Sequence, residues 1–131
     1  MSSLKKVLIV EDESLLSSVY STVLSLNDFT VQTAHDGVDG LNKLRTFEPD
    51  VILLDLLMPN MDGMTFLKNF DKSRHSSTRI IVYSNLFDGN TVDQVTELGA
   101  DDIVLKSSLS PNQLVELVMS HMASNDSVIN H

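Results

Sequence analysis

Five short apolar runs alternate with five stretches of helical periodicity, and that alternation restricts the fold of this chain more than any other feature. The runs are Val7-Leu8-Ile9-Val10, Thr30-Val31-Gln32-Thr33-Ala34, Val51-Ile52-Leu53-Leu54, Ile80-Ile81-Val82-Tyr83 and Ile103-Val104-Leu105. The first, third and fourth are unbroken and β-branched. Strands covered on both faces look like this, so a parallel sheet is expected. The second run alternates more and belongs nearer an edge.

Leu15, Leu16, Val19, Tyr20, Val23 and Leu24 predict a first helix over about Ser14 to Leu26. A second follows Asp36-Gly37, carries Val38, Leu41, Leu44 and Phe47, and stops before Pro49. A third runs from about Gly63 through Met64, Phe66, Leu67 and Phe70. The fourth, from about Thr91, has only the narrow stripe Val92, Val95, Leu98, ended by Gly99. The fifth opens on Ser110-Pro111-Asn112-Gln113, a serine cap with proline at the first helical position and glutamine three residues past the cap. Leu114, Leu117, Val118 and Met122 follow on its apolar face.

Such alternation implies an α/β fold: a doubly wound, five-stranded parallel sheet with five helices on its two faces, joined by right-handed crossovers. Ligands in such folds bind outside the carboxyl ends of the strands, where the strand order reverses. In the order 2-1-3-4-5 that point lies between strands one and three. A length of 131 residues suits one domain, expected over 1–123, with a polar tail over 124–131 that frays. The net charge of -9 argues against nucleic acid and against an anionic membrane surface. The absence of cysteine excludes disulfides and thiolate metal sites. The apolar start is too short for a signal peptide, and no run approaches a membrane span, so a cytoplasmic location is expected.

Polar residues occupy the expected strand ends. Strand one ends in Glu11-Asp12-Glu13, strand three in Asp55, strand four in Ser84-Asn85 and strand five in Lys106-Ser107. An unpaired buried acid is costly, so an acid ending an apolar strand is either solvated or used. Glu11, Asp12 and Asp55 outweigh Lys106 by two negative charges, which a divalent cation would balance. Oxygen-only ligands with room for water favour Mg²⁺, and the backbone carbonyl of Leu57 is a further candidate ligand. A metal, an ammonium and a hydroxyl around one carboxylate suit phosphoryl transfer, with the carboxylate itself as nucleophile.

On these residues the chain resembles the receiver domain of two-component response regulators. The resemblance rests on the acidic pair Glu11-Asp12, the loop Asp55-Leu56-Leu57-Met58-Pro59-Asn60-Met61-Asp62-Gly63, the hydroxyl of Ser84, Gly99-Ala100-Asp101-Asp102, and Lys106. It implies the flavodoxin-like receiver fold and a phosphoryl group accepted on Asp55 from a phosphohistidine. Asp12 would hold Mg²⁺ directly and Glu11 through water, Lys106 would pair with phosphoryl oxygens, and Ser84 would bond one of them. The implied partners are a sensor histidine kinase or histidine phosphotransfer protein and a downstream target protein, with no direct nucleic acid and no membrane; homodimerisation is left open. Three positions depart from the family pattern: Asn85 after the hydroxyl, Ile103 in place of an aromatic residue, and Ser107 in place of proline, which predicts a trans bond after Lys106.

Other residues carry plainer readings. Asp36-Gly37 reads as a turn, Asp62-Gly63 as a turn and helix start, and Asp101-Asp102 as shaping a loop. His35, His75, His121 and His131 read as surface residues. Tyr83, next to Ser84, faces the other side of the sheet and reads as packing. Leu86-Phe87 either packs down or forms an exposed patch. Two other functions compete with the phosphoacceptor: a phosphorylation-independent pseudo-receiver that binds protein, and a phosphohydrolase. The latter needs an acid two residues after the nucleophile, where this chain has Leu57, so the chain reads as a regulatory domain that catalyses only its own phosphorylation and dephosphorylation. No G-x-G-x-x-G follows strand one, which disfavours a dinucleotide enzyme.

Overall fold

Val7 to Val10, Val51 to Leu54 and Ile80 to Tyr83 are all buried, so these strands are covered on both faces. The computed structural model describes residues 5–85 and 88–129, with 123–129 as backbone alone. Its elements are β1 (Lys5–Val10), α1 (Ser14–Leu26), β2 (Phe29–Ala34), α2 (Gly37–Lys43), β3 (Val51–Asp55), α3 (Gly63–Asn69), β4 (Arg79–Ser84), α4 (Gly89–Glu97), β5 (Asp102–Leu105) and α5 (Pro111–Ile129). The strands pair in parallel in the order β2-β1-β3-β4-β5, the doubly wound arrangement that the sequence predicts.

Alternate residues of each strand feed two cores. Leu8, Val10, Ile52, Leu54, Ile80 and Val82 pack with Phe66, Phe70 and Val95, from α3, the residue after it, and α4. Val7, Ile9, Val51, Leu53, Ile81 and Tyr83 pack with Tyr20 and Leu24 of α1 and Leu114 and Val118 of α5. Within α4 only Val95 is buried, in keeping with its narrow stripe. At the start of α5 the serine cap forms as its sequence predicts: the Gln113 N–H donates to Ser110 Oγ at 3.2 Å, and the Ser110 N–H donates to Gln113 Oε1 at 2.9 Å.

Three features differ from the expectations above. The regular part of α2 stops at Lys43; the N–H groups of Arg45 and Thr46 bond carbonyls three residues back, a tightening common in a last helical turn. The backbone of α5 stays helical to Ile129, past the point where the sequence turns polar. His75 is buried rather than on the surface. It stacks on Phe70 with ring centres 5.2 Å apart, and its Nδ1 lies 2.8 Å from Oε1 of Glu48, whose side chain stays exposed, so the buried ring keeps a polar partner at the surface. Leu86 and Phe87 lie outside the described residues. Among the described residues no helix is long and apolar enough to cross a membrane.

Candidate functional site

Strand parity decides which side chains meet at the carboxyl edge of the sheet. Val7 and Ile9 face α1 and α5, and two residues further along that face comes Glu11. Leu53 leads in the same way to Asp55, Ile81 to Tyr83 and Val104 to Lys106. The Glu11 N–H still bonds the Ala34 carbonyl at 2.9 Å, so the ladder carries this parity past the end of β1.

These four residues form one network. Lys106 Nζ lies 2.9 Å from Glu11 Oε1 and 3.3 Å from Asp55 Oδ2. The Tyr83 hydroxyl donates to the same Glu11 oxygen at 2.8 Å, and the Lys106 ammonium stands 5.2 Å from the centre of the Tyr83 ring. The Glu13 N–H donates to Glu11 Oε2 at 2.9 Å. Glu11 tolerates its burial because three donors surround it. Asp12 has the opposite parity and is exposed, yet ligand oxygens of Glu11, Asp12 and Asp55 all lie within 4.8 Å of one another. Beside Glu11 and Asp12 opens a cavity of about 290 Å³, lined also by Ser17, Thr33, Asp39 and Lys43.

Burial, and then the charge of Glu11, push the Asp55 carboxyl up to about 6 against the pull of Lys106. Burial opposes the charge of Lys106, but its hydrogen bond to Glu11 and the charge of Asp55 outweigh that, and the ammonium is held above its usual value. Burial and the Glu11 charge hold the Tyr83 phenol well above its usual range, so it remains a donor at neutral pH. The donor set is all oxygen, in negative excess and open to solvent through Asp12. It fits a hard divalent cation that keeps several waters, such as Mg²⁺.

The loop after Asp55 is held from two sides. Gly63 approaches so closely that a Cβ there would lie 2.4 Å from the Asp55 carbonyl oxygen and 2.8 Å from Leu56 Cα. Its N–H bonds the Leu56 carbonyl at 3.0 Å, while Asp62 caps α3 by accepting from the Thr65 N–H at 2.8 Å. On the other side Asn60, at φ 66°, donates from Nδ2 to Asp36 Oδ2 at 2.8 Å. Asp36 Oδ1 accepts the Asp39 N–H at 2.8 Å, and the Gly37 N–H bonds the Met61 carbonyl at 3.0 Å. Asp36 is therefore more than a turn residue: it is buried, caps α2 and clamps the loop. Its bond from the Asp39 N–H, then that from Asn60, hold its carboxyl below the usual range.

The structure brings together Glu11, Asp12, Asp55 and Lys106 from the predicted set. The Leu57 N–H points back to Asp55 Oδ1 in a long contact of 3.4 Å, and its side chain is exposed. Ser84 is buried at the end of β4, on the face opposite Tyr83. Asn85 is exposed, Ile103 packs at the border of the α3/α4 core, and the Lys106–Ser107 bond is trans, opening a short 3₁₀ turn over Lys106–Ser108. Tyr83 is the contributor that a packing reading misses. The signal was its parity, shared with Glu11 and Asp55.

The family model described as "Response regulator receiver domain" matches residues 7–119. A Guillardia theta protein described as "Probable transcriptional regulator ycf27" is 40% identical over 112 residues, 84% of this chain and 42% of that protein. "Regulator of RpoS" of Escherichia coli (strain K12) is 34% identical over 116 residues, 88% of this chain and 34% of that protein. The chain thus spans less than half the length of these two curated relatives. A solved CheY-like receiver domain protein from Methanospirillum hungatei JF-1 has the same fold. Its TM-score is 0.87 at 22% identity, covering 95% of this chain and 98% of that one.

Proposed function

The chain belongs to the response regulator receiver domain family, and from that premise we propose that Asp55 accepts a phosphoryl group from a phosphohistidine and signals through a partner protein. The carrying observation is that oxygens of Glu11, Asp12 and Asp55 converge within 4.8 Å while Lys106 reaches Asp55 at 3.3 Å. Receiver domains are regulatory modules that interact with histidine kinases. The donor here is a sensor kinase or a histidine phosphotransfer protein.

An Asp55 oxygen attacks phosphorus, the P–N bond breaks with its electron pair returning to the imidazole, and an acyl phosphate forms on Asp55. Lys106 leaves Glu11 for a phosphoryl oxygen, and the Ser84 hydroxyl donates to another. Asp12, Asp55 and the Leu57 carbonyl would hold Mg²⁺ directly, and Glu11 through water. When bound, the ion supplies charge neutralisation at the phosphoryl oxygens. The movement of Lys106 and Ser84, at the ends of β5 and β4, biases the α4-β5-α5 face between two arrangements of different affinity for the target.

A second reading, a pseudo-receiver that binds protein without phosphorylation, is favoured by one observation: Lys106 lies nearer Glu11 than Asp55. Intact-protein mass after incubation with Mg²⁺ and acetyl phosphate decides between them. One added phosphoryl group, absent in Asp55→Asn, supports the phosphoacceptor. No addition, with no beryllofluoride binding, supports the pseudo-receiver.

A further inference from the structure

The phosphoacceptor chemistry makes no use of Tyr83, yet Tyr83 holds the most deeply buried acid of the site. Its hydroxyl shares Glu11 Oε1 with the Lys106 ammonium, at 2.8 and 2.9 Å. Its ring faces that ammonium at 5.2 Å and is fixed in turn by Tyr20, edge-on with ring centres 6.0 Å apart. A phenylalanine would fill the same place between α1 and α5; the hydroxyl is what packing alone does not require. We infer that Tyr83 is a positioning residue that holds Glu11 and Lys106 on each other and thereby stabilises the metal-free, unphosphorylated arrangement of the site.

The inference rests on the reading of Glu11 as an outer ligand and of Lys106 as the group that moves to the phosphoryl oxygens. A carboxylate offers about four acceptor positions, and Tyr83, Lys106 and the Glu13 N–H occupy three of those on Glu11. The fourth position, on Oε2, is open; for Glu11 to present Oε1 to water on a cation it has to turn that oxygen away from Tyr83 and Lys106. A bond made only before that turn biases the equilibrium against it by its full differential strength. Bonds to ionised groups are among the stronger ones, so losing the hydroxyl tightens Mg²⁺ binding by about tenfold.

The test is calorimetric titration of Mg²⁺ into the wild type, Tyr83→Phe, Glu11→Gln and the double variant, with thermal melts of each. Tyr83→Phe is expected to bind about tenfold more tightly, and the same change in the Glu11→Gln background to alter affinity by less than about twofold. Equal or weaker binding by Tyr83→Phe overturns the inference, and so does a tightening that persists undiminished without Glu11. If neither wild type nor Tyr83→Phe binds Mg²⁺, it is overturned as well. Should Tyr83→Phe melt below the titration temperature, Tyr83→Met takes its place with the same expected result. Phosphoryl addition at Asp55, weighed in the same samples, separates the two levels. Addition with equal affinities removes Tyr83 from the site's control and leaves the phosphoacceptor standing. Different affinities without addition do the reverse.

Discussion

The Lys106 ammonium meets the Glu11 carboxylate at 2.9 Å, with the lysine side chain 10% exposed and the glutamate fully buried. Breaking such a pair from one side leaves an uncompensated buried charge. Lys106→Met is therefore expected to destabilise the domain by about 3 kcal/mol at pH 7 in urea unfolding. Because the folded-state value of Lys106 is raised, its contribution is complete at every pH below the ordinary lysine range and is lost only as pH rises through the folded value. The same variant is expected to bind Mg²⁺ more tightly, having lost a competing positive charge. Unchanged stability in Lys106→Met would mean that Glu11 is held by Tyr83 and the Glu13 N–H alone.

Asp55 carries the opposite linkage. Its carboxyl is raised from 3.8 to about 6, so between those values the folded state binds more protons than the unfolded one. The stabilising contribution of the protonated form is full below about pH 4 and disappears as pH rises through about 6. At pH 7.5 the ionised group sits beside Glu11 as a burden on the fold. Asp55→Asn is expected to raise stability by about 1–2 kcal/mol there, discounted for the opening toward solvent at Asp12, and to give almost no gain at pH 4. A gain independent of pH would assign the effect to packing. Mg²⁺ affinity of the wild type is expected to fall on acidification through the same window, because the proton and the metal would compete for Asp55.

Asp12→Ala tests the metal assignment by itself. Asp12 is the one exposed acid of the triad and carries none of the network around Lys106. Its removal is expected to weaken Mg²⁺ binding by more than about tenfold with a change in stability within about 0.5 kcal/mol. Titration calorimetry beside a thermal melt reads both, and retained affinity would move the site off the triad.

Much of this edge was legible in the sequence because burial on both faces writes a strand as an unbroken apolar run, and the first polar residue after such a run must sit at its end. That places Glu11 and Asp55 without any knowledge of their partners; Lys106 follows the shorter apolar run of the edge strand β5, whose residues are only partly buried. The bounds of α1 and the Ser110 cap were legible for a similar reason: both depend only on neighbours within a few positions. Tyr83 was half legible. Its parity matches that of Glu11 and Asp55, but its hydroxyl bond spans 72 positions and depends on the lateral spacing of strands, which periodicity does not carry. Asp36 was read as a turn because the residue it clamps, Asn60, is 24 positions away, also beyond the reach of local pattern. The early end of α2 was illegible: Leu44 and Phe47 keep helical spacing and are buried although the helix has already tightened into turns.

Gly63 is where the loop after Asp55 has no tolerance for a side chain. A Cβ there meets backbone, the Asp55 carbonyl oxygen at 2.4 Å and Leu56 Cα at 2.8 Å, and backbone cannot rotate aside as a side chain can. Gly63→Ala is expected to cost about 2–3 kcal/mol and to displace Asp55 and Leu57 together, so Mg²⁺ affinity and phosphoryl uptake fall in parallel. Uptake lost with affinity intact would separate the position of the nucleophile from the geometry of the metal ligands.

Asp36 touches none of the candidate ligands but fixes the loop that follows Asp55 and carries Leu57. It holds Asn60, in a backbone conformation with φ of 66° that side chains other than glycine adopt mainly when locally bonded, and it caps α2 through the Asp39 N–H. Asp36→Ala removes both bonds. The lost cap alone is expected to cost about 1 kcal/mol, and release of Asn60 lets the loop over Met58 to Met61 leave its present course. The low folded value of Asp36 makes its contribution present above the ordinary aspartate range and lost as pH falls through that folded value. The difference in stability between the wild type and the variant should therefore shrink as pH falls through that folded value. Mg²⁺ affinity separates the cap from the clamp. Asp36→Ala is expected to weaken it severalfold, and Asn60→Gly, which keeps the cap and permits the same φ, to weaken it to a similar degree. If Asn60→Gly binds Mg²⁺ like the wild type, the loop holds its shape through Gly63 and the Gly37–Met61 bond alone.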